Sequence, residues 1–159
     1  MILGMSAFLF VHVLLSLIGI ATGLVVLYGL LTADRMDGLT LVFLLTTAAT
    51  TLTGFFLPFH TVTPAVMLGI ISTLVLIPTF AGRYMFNMAG AWRWIYAGGA
   101  VLALYFNCFV LVVQAFLKVP ALHALAPAGT EPPFAITQGV VLLFFVVTGV
   151  LALKRFRPA

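Results

Sequence analysis

Five long apolar stretches are the feature that most constrains how this chain can fold. They cover residues 7–31, 41–59, 65–81, 94–117 and 134–153. The hydrocarbon core of a bilayer is about 30 Å thick and a helix rises about 1.5 Å per residue, so roughly 20 apolar residues cross it. Because no water is available there to bond exposed backbone groups, each stretch is expected to be helical. The sequence therefore predicts an all-α integral membrane bundle of five transmembrane helices.

Composition indicates a single transmembrane domain over residues 1–159. Only 6% of the residues are charged and 64% are hydrophobic, whereas a soluble domain has about 25% charged residues. We therefore expect no separate water-exposed domain, and the longest connection is an outer loop at 118–133. The net charge of +4 is explained by topology signals and contacts with anionic lipid. The bilayer is the predicted partner, and nucleic acid is not.

The basic residues are distributed unevenly between the predicted connections. If the connections alternate between the two sides, Lys118 lies alone on one side and six basic residues lie on the other. The six are Arg35, Arg83, Arg93, Lys154, Arg155 and Arg157. Since cytoplasmic loops are enriched in Lys and Arg, the sequence predicts the amino terminus outside and the carboxyl terminus inside. The split also favours five spans over four.

Two local signals are clear in the connections. Thr63-Pro64 is a favourable helix start, because a capping hydroxyl precedes a proline at the first helical position. In the outer loop, residues 121–125 are expected to form a short helical piece.

Polar and small residues recur at helical spacing within the stretches. His12, Ser16, Gly19 and Gly23 are four, three and four positions apart, so they share one helix face. Small residues allow helix backbones to approach closely in lipid, and packing accounts for much of this pattern. A similar face in the fourth stretch carries Asn107, Gln114 and, just after it, Lys118.

The predicted topology gathers polar side chains near the outer surface. This polar cluster consists of Asn107, Gln114, Lys118, Glu131 and Gln138. The three histidines of the chain, His12, His60 and His123, are predicted at the same end. An ionisable residue inside a span is a candidate functional site.

Imidazole is a ligand for haem iron, copper and zinc. His12 and His60 are therefore the candidate cofactor ligands, and His12, His60 and His123 are the candidate metal ligands. Hydrogen bonding to a neighbouring helix, capping and solvent exposure explain the same residues without a ligand. No HxxxH, HxxE or CxxC spacing supports a metal site.

Residues 102–133 and the Pro-Phe-His sequence at 58–60 resemble a family of small uncharacterised polytopic proteins of the bacterial inner membrane. The resemblance covers nearly the whole chain. It implies a multi-pass protein of the bacterial inner membrane, and it carries over no catalytic residue.

Three functions remain open from the sequence. The first, which the sequence favours, is an accessory or structural subunit or a homo-oligomer of the inner membrane, whose partners are other membrane subunits or itself. The second is a haem- or transition-metal-binding protein for electron transfer or metal handling. The third is a small transporter, which is weaker because no Asp or Glu lies inside a predicted span. An enzyme is not expected, since no nucleophile or acid–base pair has an evident partner.

Overall fold

The computed structural model describes residue 2, residues 4–58 and residues 61–158. In these residues the chain forms six α-helices and one π-helical turn. They are α1 (Ala7–Thr32), α2 (Asp37–Gly54), α3 (Pro64–Phe80), the π turn (Ala81–Met85), α4 (Trp92–Lys118), α5 (Pro120–Leu125) and α6 (Pro132–Arg155). The predicted all-helical fold class is confirmed.

Four segments, not five, are long and apolar enough to cross a membrane. They are α1, α3 together with the π turn, α4 and α6. The expected span at 41–59 is wrong. The helix there is α2, which begins at Asp37, ends at Gly54 and is not apolar enough over its 18 residues. At about 1.5 Å per residue, α2 is roughly 27 Å long. Six of its residues are threonines, which lower its hydropathy although most of their hydroxyls bond to backbone carbonyls.

The helices α1, α2, α3, α4 and α6 alternate in direction, so two ends of the bundle can be defined. At one end Arg83 contacts Asp37 and lies over the Tyr96 ring, and the Tyr96 and Phe156 rings are 5.7 Å apart. We call this the basic end, because it carries every Lys and Arg of the chain except Lys118. The other end, where α4 finishes, is the Lys118 end.

The helix ends follow ordinary capping chemistry. The Ser6 hydroxyl accepts the Leu9 N–H at the start of α1, and the Thr63 hydroxyl accepts the Val66 N–H at the start of α3. Pro64 occupies the first position of α3, so the predicted helix start is confirmed. The short helix predicted at residues 121–125 is also confirmed, as α5.

The buried core lies mainly in the half of the bundle near the basic end. Helix α4 is central and packs against each of the other helices. The largest fully buried side chains are Tyr96, Phe43, Phe156, Leu30, Leu44 and Leu104. They come from the last turns of α1, the first half of α2, the first half of α4 and the segment after α6. Packing is therefore dense at one end of the molecule.

A close contact between α3 and α4 helps to set this packing. A side chain added at Gly99 would overlap the hydroxyl of Thr79, a fully buried residue, and would lie 3.1 Å from its Cβ. The Thr79 hydroxyl already donates to the Val75 carbonyl at 2.7 Å. The two helices can approach this closely only because position 99 has no Cβ.

Arg83 connects several elements at the basic end. Its side chain is only 1% exposed, and it forms an ion pair with Asp37. Its Nη2 atom donates to the Arg35 carbonyl at 3.0 Å, and its guanidinium lies 5.0 Å from the centre of the Tyr96 ring. The π turn thus holds the loop after α1, the start of α2 and the start of α4 through one side chain. A π-helical turn often marks a constrained or functional position.

Asp37 balances two arginines. Its carboxylate accepts from Arg35 Nε at 3.3 Å and pairs with Arg83, while 70% of its side chain stays exposed. The hydrogen bond from Arg35, assisted by the charges of both arginines, lowers the pKa of the Asp37 carboxyl. Asp37 therefore stays ionised at neutral pH and compensates the buried cation.

Replacing Gly99 by Ala should destabilise the protein by about 1–3 kcal/mol, the usual cost of overpacking a dense core. Gly139→Ala is the matched control, because nothing lies within 4 Å of a Cβ at this position in α6. Since Ala is favoured over Gly inside helices, the control should be neutral or slightly stabilising. Thermal unfolding in detergent measures both, and equal melting temperatures would contradict the close contact.

Replacing Arg83 by Met should cost about 2 kcal/mol, because a buried hydrogen bond and an ion pair are lost together. Arg155→Met is the control, since Arg155 is exposed near the end of α6. At about 2–4 °C per kcal/mol, Arg83→Met should lower the melting temperature by roughly 4–8 °C. An Arg83→Met protein as stable as Arg155→Met would show that the guanidinium does not hold this end together.

Candidate functional site

A cavity of about 470 Å³ lies between α1, α2, α3 and α4, toward the Lys118 end. Its polar lining residues include His12, Ser16, Thr50, Asn107, Gln114 and Lys118. Most of its remaining wall is apolar, with Leu9, Val13, Phe55, Leu68, Val110 and Leu111. The dense core near the basic end and this open space divide the bundle into two unlike halves.

Small residues on α3 help to create the space. Ala65, Gly69 and Ser72 line the cavity and are four and three positions apart, so they lie on one face of the helix. A side chain at Gly69 would come within 3.1 Å of the Phe55 ring, which closes part of the cavity. The sequence carries this stripe, but its spacing also fits simple helix packing.

His12 is held in a defined orientation on the cavity wall. Its Nδ1 atom lies 2.8 Å from the Thr53 hydroxyl oxygen, and that hydroxyl lies 2.7 Å from the Ala49 carbonyl, to which it donates. This contact joins the start of α1 to the end of α2 and fixes the plane of the imidazole ring at the cavity wall.

Asn107 marks the deep part of the cavity. Its amide donates to the Thr47 hydroxyl at 3.3 Å, and Thr47 is almost completely buried. Lys118 is 11 residues further along α4, so the cavity wall between them is roughly 16 Å long. Ser16, also on the wall, donates to the Val13 carbonyl at 2.7 Å. The amide of Asn107 and the hydroxyl of Ser16 are thus bonded within the protein.

Gln114 and Lys118 form the mouth of the cavity. Both line it and both are exposed, so the cavity opens to the surface beside them. They are one helical turn apart on α4 and point along the same face. Within the described residues, neither side chain has a hydrogen-bond or ion-pair partner.

Gln138 lies away from the residues that line the cavity. Its Nε2 atom donates to the Phe109 carbonyl at 3.2 Å, which links α6 to α4. Its Oε1 atom is buried and has no partner in the described part of the chain. This side chain therefore belongs to the α4–α6 contact.

The residues of the loop at 118–133 that were predicted for the site, Glu131 and His123, have hydrogen-bond partners outside the cavity. Glu131 accepts the backbone N–H groups of Ala128 at 2.9 Å and Thr130 at 3.1 Å. These bonds, the one from Ala128 most strongly, lower the pKa of the Glu131 carboxyl. His123 is exposed, and its Nδ1 atom lies 3.2 Å from the Phe116 carbonyl. Of the sequence-predicted site residues, the structure brings His12, Asn107, Gln114 and Lys118 together.

The metal and haem interpretation gains no support from this geometry. Over residues 4–58 and 61–158, no three His, Cys, Asp or Glu side chains are grouped so that they could hold a metal ion. His60 lies outside the described residues. Ligation shared between His12 and His60, with or without His123, therefore stays a prediction.

Sequence reasoning missed the buried role of Arg83, which it interpreted only as a topology charge. The one sequence signal for this role was that two of the three acidic residues of the chain, Asp34 and Asp37, lie close to each other in the sequence. It also missed Ser72, which is 8% exposed and lines the cavity. A serine inside an apolar helix carries no signal for the direction in which it points.

Four apolar helices long enough to span a bilayer, with a partly polar cavity among them, define a helical bundle compatible with a membrane protein. Comparison with protein-family models, with curated proteins and with solved structures gives no match for this chain. Its function must therefore be inferred from the cavity itself.

Proposed function

We propose that this protein is a multi-pass protein of the bacterial inner membrane that binds an amphipathic small molecule in its cavity. The observation that carries the proposal is the cavity itself, with about 470 Å³ of space and a largely apolar wall interrupted by a few polar groups. Ligand pockets have this character and volumes of about 300–1,000 Å³.

The polar groups of the cavity differ in whether they already have a hydrogen-bond partner, and this difference sets the orientation of the ligand. Deep in the cavity, Ser16 donates to the Val13 carbonyl and Asn107 donates one N–H to the Thr47 hydroxyl, so both have a partner within the protein. At the mouth, Gln114 and Lys118 have no such partner among the described residues and face the surface. An apolar chain in the depth and a polar head at the mouth therefore match both regions.

The same contacts favour binding over catalysis. Ser16 lies one turn from His12, the spacing at which a hydroxyl could be activated by an imidazole. However, Ser16 donates to the Val13 carbonyl, and Nδ1 of His12 is hydrogen-bonded to the Thr53 hydroxyl. The two side chains are each occupied with another partner, which supports a ligand-binding or accessory role in the membrane.

The charge distribution supports one orientation. Six of the seven basic residues belong to the basic end, and Lys118 is alone at the other. Because cytoplasmic segments are enriched in Lys and Arg, we place the basic end and the carboxyl terminus in the cytoplasm. The Lys118 end, with the mouth of the cavity, then faces the outside.

Reporter fusions test this orientation. An alkaline phosphatase fusion near Gly129 should be active, since that enzyme works only outside the cytoplasm. A green fluorescent protein fusion at the carboxyl terminus should fluoresce, because this reporter folds in the cytoplasm. It does not become fluorescent when the general secretory route exports it. The opposite pair of results would reverse the orientation and place the mouth inside.

Filling the cavity tests the binding proposal. Ser72→Phe should weaken binding of a dansyl-labelled undecanoic acid to the protein in phosphatidylcholine nanodiscs by about tenfold or more, equivalent to about 1.4 kcal/mol. Leu74→Phe is the matched control on the same helix, because Leu74 is 64% exposed and does not line the cavity. Fluorescence titration measures binding, and thermal unfolding verifies that both variants fold.

Two results would refute the binding proposal. One is a wild-type protein that does not enhance the fluorescence of the probe above empty nanodiscs. The other is a folded Ser72→Phe protein that binds the probe as tightly as Leu74→Phe.

A further inference from the structure

We propose that the ligand has an anionic head, held at the mouth of the cavity by the Lys118 ammonium group and the Gln114 amide, on a single apolar chain. This inference rests on the proposed function and names the chemical class of the ligand.

The first argument is the uncompensated charge of Lys118. Among the described residues that line the cavity, Lys118 is the only Lys or Arg, and none is Asp or Glu. The ion pairs of the described chain involve only Asp37 with Arg35 and Arg83. The exposed ammonium group at the mouth attracts a negative charge, and the described cavity wall supplies none.

The acidic residues of the chain are committed elsewhere. The chain has three, Asp34, Asp37 and Glu131. Asp34 and Asp37 belong to the connection at the basic end, where Asp34 accepts the Met36 N–H. Glu131 accepts two backbone N–H groups of its own loop. A bound anion therefore supplies the charge that this chain does not place beside Lys118.

The second argument is the geometry of the donors. Lys118 and Gln114 are four residues apart on α4, so their side chains project from the same face over the mouth. An ammonium group offers three donors and an amide two, and both can converge on the oxygens of one head group. Hydrogen bonds to an ionised acceptor are about twice as strong as neutral ones. Carboxylate and phosphate both provide such oxygens.

The third argument is the shape of the space behind the mouth. About 16 Å separates the level of Lys118 from that of Asn107 along α4. The wall along this length is mainly apolar. At about 470 Å³, the cavity lies in the lower part of the range for ligand pockets, which suits one hydrocarbon chain. A fatty-acid carboxylate and a single-chain phosphate ester share this chemistry.

Displacement of the dansyl probe distinguishes the head groups. The competitors are dodecanoic acid, dodecyl phosphate, dodecanol and dodecylamine. The concentration of each is given as the amount partitioned per mole of nanodisc lipid, so that unequal partitioning does not affect the comparison. We expect at least one of the two anions to displace the probe at a concentration about tenfold lower than dodecanol. The stronger of the two anions identifies the source as carboxylate or phosphate.

Variants of Lys118 assign the effect to its charge. Lys118→Gln should remove the preference for anions, Lys118→Arg should retain it, and Lys118→Glu should make dodecylamine the best competitor. Lys154→Gln is the control, because it removes an exposed lysine at the basic end. Gln114→Leu should weaken anion binding less than Lys118→Gln, since it removes a neutral donor only.

Failure of this inference and failure of the proposed function give different results. If dodecanol and the anions compete equally and Lys118→Gln changes nothing, the ligand head is not anionic, while probe binding sensitive to Ser72→Phe still supports the cavity. If neither the probe nor any competitor binds the wild-type protein, both proposals are overturned.

Discussion

The buried guanidinium of Arg83 is the interaction on which the arrangement of the bundle depends. It contacts the Arg35 carbonyl, the Asp37 carboxylate and the Tyr96 ring, which belong to three separate parts of the chain. Leaving a buried charge without partners is expensive, so these parts must assemble together. The Tyr96 ring also packs against the Phe156 ring, and both residues are almost completely buried, so the helices are fixed relative to one another at the basic end.

The other half of the bundle is governed by different residues. Small side chains on α3 and threonines on α2 fill less space than the leucines and aromatic rings near the basic end. The threonine hydroxyls return to carbonyls of their own helix, so α2 requires no polar partner from a neighbouring helix at these positions. Cavity and core are thus consequences of where the same chain places its large and small residues.

The sequence contained enough information to predict the helices and much less to predict the site. Hydropathy located five helices within a few residues, because apolar runs and the Thr63-Pro64 start are local signals. It placed α2 too far along the chain, since the apolar stretch is at 41–59 whereas the helix begins at Asp37 and ends at Gly54. The sequence grouped His12 with Asn107, Gln114 and Lys118 at one end of the bundle, and the structure places all four on the wall of one cavity. The depth of a residue along a helix carries no information about rotation around the helix axis. For that reason Gln138, at a similar depth, bonds to α4 and does not reach the cavity.

A bundle that is dense at one end and open at the other has a mechanical asymmetry. The helices are held together near Arg83 and Thr79, so any tilt about these contacts displaces the opposite ends of the helices most. Regions with fewer buried contacts open at lower free energy than the core. We therefore expect the distance between the helices at Gln114 and Lys118 to vary more than the distance between them at the basic end.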